Sequence, residues 1–401
     1  MHNAKSHNAL WHNAKVGNPF HYGSAVTGAR FTDRDAELQV LRTCMLEGQN
    51  VILLSPRRYG KTSLLKRAVE EVAASGGRVG LANLIQCSNR REVAEELATA
   101  IARGPLGKVA THFDELMRHL ADLRPSFSVE AHGVKISLAP QAPNSDWTEE
   151  IKTALRTLAR LHTKDAPVSL VIDEFQRVAE INDGLPGVFK AMVDELERVS
   201  LVFAGSRRHL MEELSSSPGA PLLGIGQRIN LLPIPSAQMV PFLIDRARSG
   251  DKVLSEDSAA LIYELAHGVP NHVQQVAFWA FAESGTEIKE RDVREAIDTI
   301  LSLSSVDFAE IFEKLSPAQQ RLLRALAIEP IKDVYSKRFL DRIDVANASS
   351  TKRALERLDD MELIEFSPAG WRVSNPLFQR WLSLDTVDDT MTKSDDGGTE
   401  S

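Results

Sequence analysis

The segment Asn50-Val51-Ile52-Leu53-Leu54 is a short apolar run that stops abruptly at Ser55-Pro56-Arg57-Arg58-Tyr59-Gly60-Lys61-Thr62-Ser63. An apolar run of this length closed by turn residues predicts a strand buried on both faces, as in a parallel sheet. From Thr62 to Ala74 the pattern becomes helical. The alternation continues. Arg78 to Ile85 predicts a strand, Glu92 to Ala102 a helix, Thr148 to His162 a helix and Val168 to Ile172 a strand. Leu185 to Arg198 predicts another helix, and Leu201 to Gly205 another strand. A helix from about Asp33 would carry Leu38, Leu41 and Leu46 on one face. Strand, loop and helix in succession point to a layered α/β core. Residues 126–138 break the rhythm and alternate around His132-Gly133, as a β-hairpin inserted between helices would.

A loop between a buried strand and a helix start is where backbone N–H groups cradle phosphate oxygens. Gly60 allows close backbone approach. Lys61, expected to be exposed at the helix start, would reach the β- and γ-phosphates, and the Thr62 hydroxyl would take one magnesium position. Ser55 stands where such loops commonly have a first glycine; a serine makes the bend if its backbone stays in an ordinary region. By itself the stretch also reads as a basic helix start on a surface. Val168-Ser169-Leu170-Val171-Ile172-Asp173-Glu174, about 110 residues further on, changes the balance. An Asp at such a strand end holds magnesium through its water shell, and the adjacent Glu polarises a water for attack on the γ-phosphate. The other reading of that strand end is a solvated acidic pair. Phe203-Ala204-Gly205-Ser206-Arg207-Arg208 ends a third strand. Ser206 would orient the attacking water and Arg207 or Arg208 would neutralise developing charge, unless the arginines merely cap a surface strand end.

The length, 401 residues, implies two or three domains, and 43% hydrophobic with 25% charged residues is ordinary for globular proteins. A net charge of −8 argues against a chain built mainly to neutralise nucleic-acid phosphates, while leaving room for one basic module. Cys44 and Cys87 are the only cysteines, so no disulfide framework is expected and a reducing cytoplasm suits the chain. No apolar run reaches the ~18 residues that would suggest a membrane span. His2, His7 and His12 recur at a spacing that fits no single helical face, so a low-complexity disordered leader is the reading preferred to a metal site.

Asn18-Pro19-Phe20, then Phe31-Thr32-Asp33-Arg34-Asp35-Ala36-Glu37-Leu38, then SPRRYGKTS resemble the archaeal-type ATPase family of STAND/AAA+ P-loop NTPases, which also occurs in bacteria. The resemblance covers about residues 18–382. It implies a P-loop (Walker A) of Ser55, Pro56, Arg57, Arg58, Tyr59, Gly60, Lys61, Thr62 and Ser63, and a Walker B pair of Asp173 and Glu174. Phe20 and Arg34 would border the adenine. His267-Gly268-Val269-Pro270 resembles the Gly-x-Pro motif of the family's helical lid, with Pro270 near the base. It further implies ATP and magnesium as cofactors. The lid shows no obvious sensor-two arginine, and the sequence assigns no trans-acting arginine finger, so a slow switch is as open as a motor.

Ser255 to His267, Asn271 to Ser284 and Glu290 to Ser302 predict a helical bundle. Ser316 to Ala327, Lys337 to Ile343 and Ser349 to Met361 predict three more helices, and Leu363 to Phe366 with Gly370 to Val373 a wing. This is a winged-helix pattern. In a DNA-binding example the third helix enters the major groove, making Ser350, Lys352, Arg353 and Arg357 the candidate contacts, with Arg372 on the wing. Packing against the ATPase core or another protein is the alternative. The expected organisation is a leader (1–17), a three-layer P-loop core (18–231), a helical lid (232–305), a winged helix (306–382) and a disordered acidic tail (383–401). The leading expectation is a magnesium-dependent ATPase switch binding ATP and ADP. A winged-helix DNA-binding regulator with a structural or slow ATP site, and a homo-oligomeric scaffold, are its rivals.

Overall fold

The computed structural model describes residues 17–25, 34–106, 127–129, 136–138, 146–344 and 348–384. Residues 1–16 of the expected leader, Phe31 to Asp33, the hairpin tip at His132-Gly133 and the tail beyond residue 384 lie outside them. The chain divides into two compact units, Arg34–Leu232 and Met1–Asp33 with Pro233–Ser401.

The first unit is built on a five-stranded parallel sheet, ordered β2 (Arg78–Asn83), β5 (Val168–Asp173), β6 (Val199–Gly205), β1 (Val51–Leu54) and β7 (Gln227–Asn230). Side chains alternate across a strand, so each strand serves both faces. Ile52 and Leu54, with Val168, Leu170, Ile172, Val199, Leu201 and Phe203, join a core with the helices Arg90–Ile101, Trp147–Leu161 and Leu185–Glu195. The opposite face meets the helix Asp35–Leu46, where Ser169 Oγ donates to Met45 O at 2.9 Å. Ser200 Oγ likewise donates to Gln49 O at 2.6 Å. Two serines buried inside the sheet are thereby satisfied by backbone carbonyls of the helix's last turn and of the loop after it, which makes their burial tolerable.

The element boundaries differ from the sequence reading in instructive places. On the first helix Met45, rather than Leu46, joins Leu38 and Leu41 in full burial. β2 ends at Asn83, because the Asn83 side chain accepts from Ile85 N and starts a short 3₁₀ turn. Phe127–Val129 (β3) and Ile136–Leu138 (β4) pair antiparallel, as the alternation predicts. β7 and the helices Arg208–Ser215 and Ser236–Ser249 were not delimited by pattern alone.

In the second unit, Glu256–Leu265, Pro270–Glu283 and Glu290–Glu313 form helices, accompanied by a short parallel pair, Val253–Leu254 (β8) and Glu287–Ile288 (β9). The third helix runs eleven residues past the expected end at Ser302. Its second half is held by Phe308 and Phe312, four apart on one face, which meet Phe378 and Trp381 of the helix at 376–384. Next come Pro317–Ile328, started by a Ser316–Gln319 capping box, then Lys337–Arg342 and Ala348–Asp360. The antiparallel wing is Ile364–Ser367 (β10) with Gly370–Val373 (β11). Residues 17–25 lie along the helix Pro270–Glu283: Asn18 Nδ2 donates to Phe278 O at 2.9 Å, and Phe20 meets Phe281 edge-on.

Phe189 sits in the sheet's core with its ring centroid 5.0 Å from Phe175 and 6.2 Å from Phe203. Phe189→Ala is expected to lower unfolding free energy by about 3–5 kcal/mol, as large-to-small changes at packed aromatic sites do. Urea denaturation followed by tryptophan fluorescence measures it. A loss under about 1 kcal/mol would mean that this cluster is not a packed core.

Candidate nucleotide site

β6 lies between β1 and β5, so the loops leaving all three strands meet at one edge of the sheet. Open parallel sheets bind ligands at this carboxyl edge. Ser55 N donates to Gly205 O at 3.2 Å, and Phe175 N to Ala204 O at 2.8 Å, which fastens both flanking loops to the end of β6. In the loop after β1, Arg58 and Gly60 have left-handed backbones, with φ of 69° and 89°. Ser55 is not among the positive-φ residues and is buried, so the serine makes its bend with ordinary backbone. Tyr59 is buried too, and its carbonyl accepts from Arg34 Nη2 at 3.1 Å. The same nitrogen donates to Leu232 O at 2.6 Å, and Arg34 Nη1 pairs with Glu37. Arg34 thus ties the loop's backbone to the exit from β7.

Lys61 opens the following helix, whose N-cap, Gly60, offers no side-chain oxygen. The sequence suggested an exposed ammonium, but Lys61 is only 7% exposed. Its Nζ is clamped by Asp173 Oδ1 and lies 2.6 Å from Glu174 Oε1. Two carboxylates delivered by β5 explain the burial, since an unpaired ammonium could not be held there. Thr62 Oγ1 lies 3.3 Å from Asp173 Oδ2. Glu174 takes a left-handed backbone, φ 57°, and its N–H donates to Asp173 Oδ1 at 2.9 Å. Burial pushes the Glu174 carboxyl up, but the Lys61 charge and hydrogen bonds from Lys61 and Gln176 outweigh it, so it sits below the ordinary glutamate range.

Ser206 Oγ is 3.4 Å from Glu174 Oε2. Arg207 turns to Glu180 at 2.5 Å, and Glu180 also pairs with Arg177, whose Nε donates to Cys87 O. Arg208 begins the helix Arg208–Ser215, is 61% exposed and pairs with Glu212 one turn on. The structure therefore brings Lys61, Thr62, Asp173, Glu174 and Ser206 together, and it places Arg207 and Arg208 in acidic pairs of their own. Arg57 and Arg58 are exposed on the loop just after Pro56, whereas Ser63 is buried in the first turn of the helix Lys61–Ala74. Phe20 is buried in the core of the other unit, where Pro270 begins a helix.

Sequence reasoning missed Gln176. It is buried, and its Nε2 donates to Glu174 Oε2 at 2.5 Å and lies 3.4 Å from Ser206 Oγ. The available signal was an amide two residues past the acidic pair, directly after the buried Phe175.

A parallel sheet with a strand–loop–Lys-Thr helix start beside a strand-end Asp-Glu pair is the P-loop NTPase architecture, and here a winged helix follows it. Residues 31–276 match the model of an ATPase domain found predominantly in Archaea, and residues 306–384 that of a probable winged helix domain. The chain belongs to this archaeal-type ATPase family. Its fold is similar to that of a Walker-type ATPase of Pyrococcus abyssi, at 19% identity and a TM-score of 0.65, over 91% of this chain and 99% of that one. It is also similar to the ORC2 protein of Aeropyrum pernix, solved in ADPNP–ADP complexes, at 16% identity and a TM-score of 0.53. That match covers 93% of this chain and 99% of the other. No curated protein matches the chain. Among the described residues, no helix is long and apolar enough to cross a membrane.

Removing the ammonium leaves Asp173 and Glu174 facing each other unpaired. Lys61→Ala is therefore expected to cost about 3 kcal/mol of stability, the scale for breaking a buried ion pair. Adding Asp173→Asn should recover a large part of it. Urea titrations of the three proteins decide the matter: equal stability of Lys61→Ala and the parent would show that the clamp contributes nothing to the fold.

Proposed function

We propose that this chain binds ATP with magnesium at the Lys61 loop and hydrolyses it, working as a nucleotide-driven switch. The observation that carries this reading is the convergence of Lys61 and Thr62 with Asp173 and Glu174 across more than 110 residues of sequence. Phosphate oxygens in the loop compete with the two carboxylates for the Lys61 ammonium. Once Lys61 turns to the β- and γ-phosphates, Glu174 Oε1 is released to accept a proton. Water then attacks the γ-phosphorus, the bond to the bridging oxygen of ADP breaks, and Glu174 takes the water's proton.

The hard oxygen donors of Thr62 and Asp173, 3.3 Å apart, fit magnesium, which prefers a few protein oxygens alongside phosphates and water. When bound, the ion neutralises phosphate charge. Ser206, on the Glu174 side of the site, helps orient the water. Arg207 and Arg208 act at the γ-phosphate only by leaving Glu180 and Glu212, which makes them secondary candidates. ATP and ADP bound alternately give the switch its two states, with Arg34, which ties the phosphate loop to the exit from β7, proposed beside the base.

Glu174→Gln should keep ATP bound while slowing phosphate release on the order of 10²–10⁴-fold, the range for a lost general base. Calorimetry reports the binding and a phosphate-release assay the rate. Turnover at the parental rate in this variant removes Glu174 from the reaction.

The second reading, a DNA-binding regulator with a slow ATP site, is favoured by one observation: Arg353 and Arg357 are exposed four residues apart on the helix Ala348–Asp360. Lys352 is engaged with Glu356 at 3.7 Å, and Arg372 with Glu365, so these two arginines carry most of the available charge. Replacing both by Ala should weaken duplex DNA binding regardless of sequence and flatten its salt dependence by about one to two units of slope. Anisotropy titrations at several salt concentrations measure this. No binding by the parent, with or without ATP, would assign the module to a protein partner or to another copy of the chain.

A further inference from the structure

The two oxygens of Glu174 have different partners. Oε1 faces Lys61 Nζ at 2.6 Å, whereas Oε2 accepts from Gln176 Nε2 at 2.5 Å and is 3.4 Å from Ser206 Oγ. Gln176 is 3% exposed, so water does not compete for its amide. The amide's orientation follows from chemistry: a carboxylate only accepts, so the NH₂ end must face Glu174 and the carbonyl end must point away. The Gln176 Oε1 is indeed left buried without a hydrogen-bond partner. A buried carbonyl in that condition costs stability, which a role in packing alone would not require.

The space for that oxygen exists because residue 205 has no side chain. A Cβ added at Gly205 would lie 2.6 Å from Gln176 Oε1 and 2.5 Å from Met211 Sδ. Gly205 ends β6, the strand whose last carbonyls fasten both site loops. Gly205 and Gln176 therefore form one arrangement, with the missing side chain making room for the amide that grips Glu174.

We propose that Gln176 is a positioning residue which holds Glu174 by Oε2 and so presents Oε1 to the attacking water, with Gly205 supplying the room for its carbonyl. The role rests on the hydrolytic reading given above. A carboxylate held by one oxygen cannot rotate its second oxygen off the line of attack when Lys61 moves to the phosphates. Placement of this kind counts, because small misplacements of a reacting group are costly in rate.

Gln176→Met keeps volume and an unbranched shape while deleting the donor. It should lower kcat by about 10–100-fold, as losing a residue that orients a reacting group does, with KM for ATP within about threefold. In a Glu174→Gln background the same change should do little more, because Gln176 acts through Glu174. Gly205→Ala should shift kcat in the same direction, and by less when Gln176 is already Met. Parental kcat in Gln176→Met, or fully additive losses in the Glu174→Gln background, overturns the proposal.

A measurement independent of turnover uses the side-chain amide resonance of Gln176, assigned in the full-length chain by correlation with its own backbone amide. It should lie away from the free-amide position and return toward it in Glu174→Ala. A resonance unmoved by Glu174→Ala overturns the proposal even when ATP is hydrolysed, and it also decides the matter if Gln176→Met fails to fold. If the parent shows no hydrolysis while the resonance moves, Gln176's hold on Glu174 stands and the hydrolytic reading is what fails.

Discussion

The carboxyl end of β6 fixes the two loops from which the site is made. Its final two carbonyls take the N–H of Ser55, entering the phosphate loop, and of Phe175, leaving the acidic pair. These are backbone bonds in a buried setting, so they depend on register rather than on side-chain identity. A slip of one residue in β6 would exchange the faces of Phe203 and Ala204 and move both loops together. The ion clamp on Lys61 and the grip on Glu174 are consequences of this register.

The clamp also gives the site a defined competition. Lys61 satisfies two carboxylates whose mutual repulsion would otherwise be uncompensated, so any anion drawing the ammonium away must stabilise it at least as well. On the proposed function a triphosphate with a divalent cation would meet that condition, the cation neutralising Asp173 in place of the ammonium. On that reading the ion pair would couple lysine and metal in a single exchange.

Most of the sheet was legible because its strands are apolar runs with turn residues at their ends; Val51–Leu54 and Val168–Asp173 are the clearest. β7 was not, because Gln227–Asn230 has a single buried residue, Ile229, and pairs on one side only. The helix Glu290–Glu313 was cut short by its serines at 302, 304 and 305, whose low helical preference is overruled by Phe308 and Phe312 packing on Phe378 and Trp381. Within the site, residue types and order revealed Lys61, Thr62, Asp173 and Glu174. The burial of Lys61, the pairing of Arg207 with Glu180 and the part played by Gln176 depend on which side chains the fold brings face to face, and spacing along the chain carries no such information.

The unbroken helix Glu290–Glu313 has a mechanical consequence. At about 1.5 Å per residue its 24 residues span roughly 36 Å. Its first half is embedded among the neighbouring helices, and its second half carries the aromatic contacts of the winged helix. No loop intervenes to absorb torque between them. Such a rod works as a lever: tilting it by about 10° at one end carries the other about 6 Å sideways, more than one helical turn's rise. A displacement too small to disturb core packing at the near end thus becomes, at the far end, a shift wide enough to exchange one set of surface contacts for another.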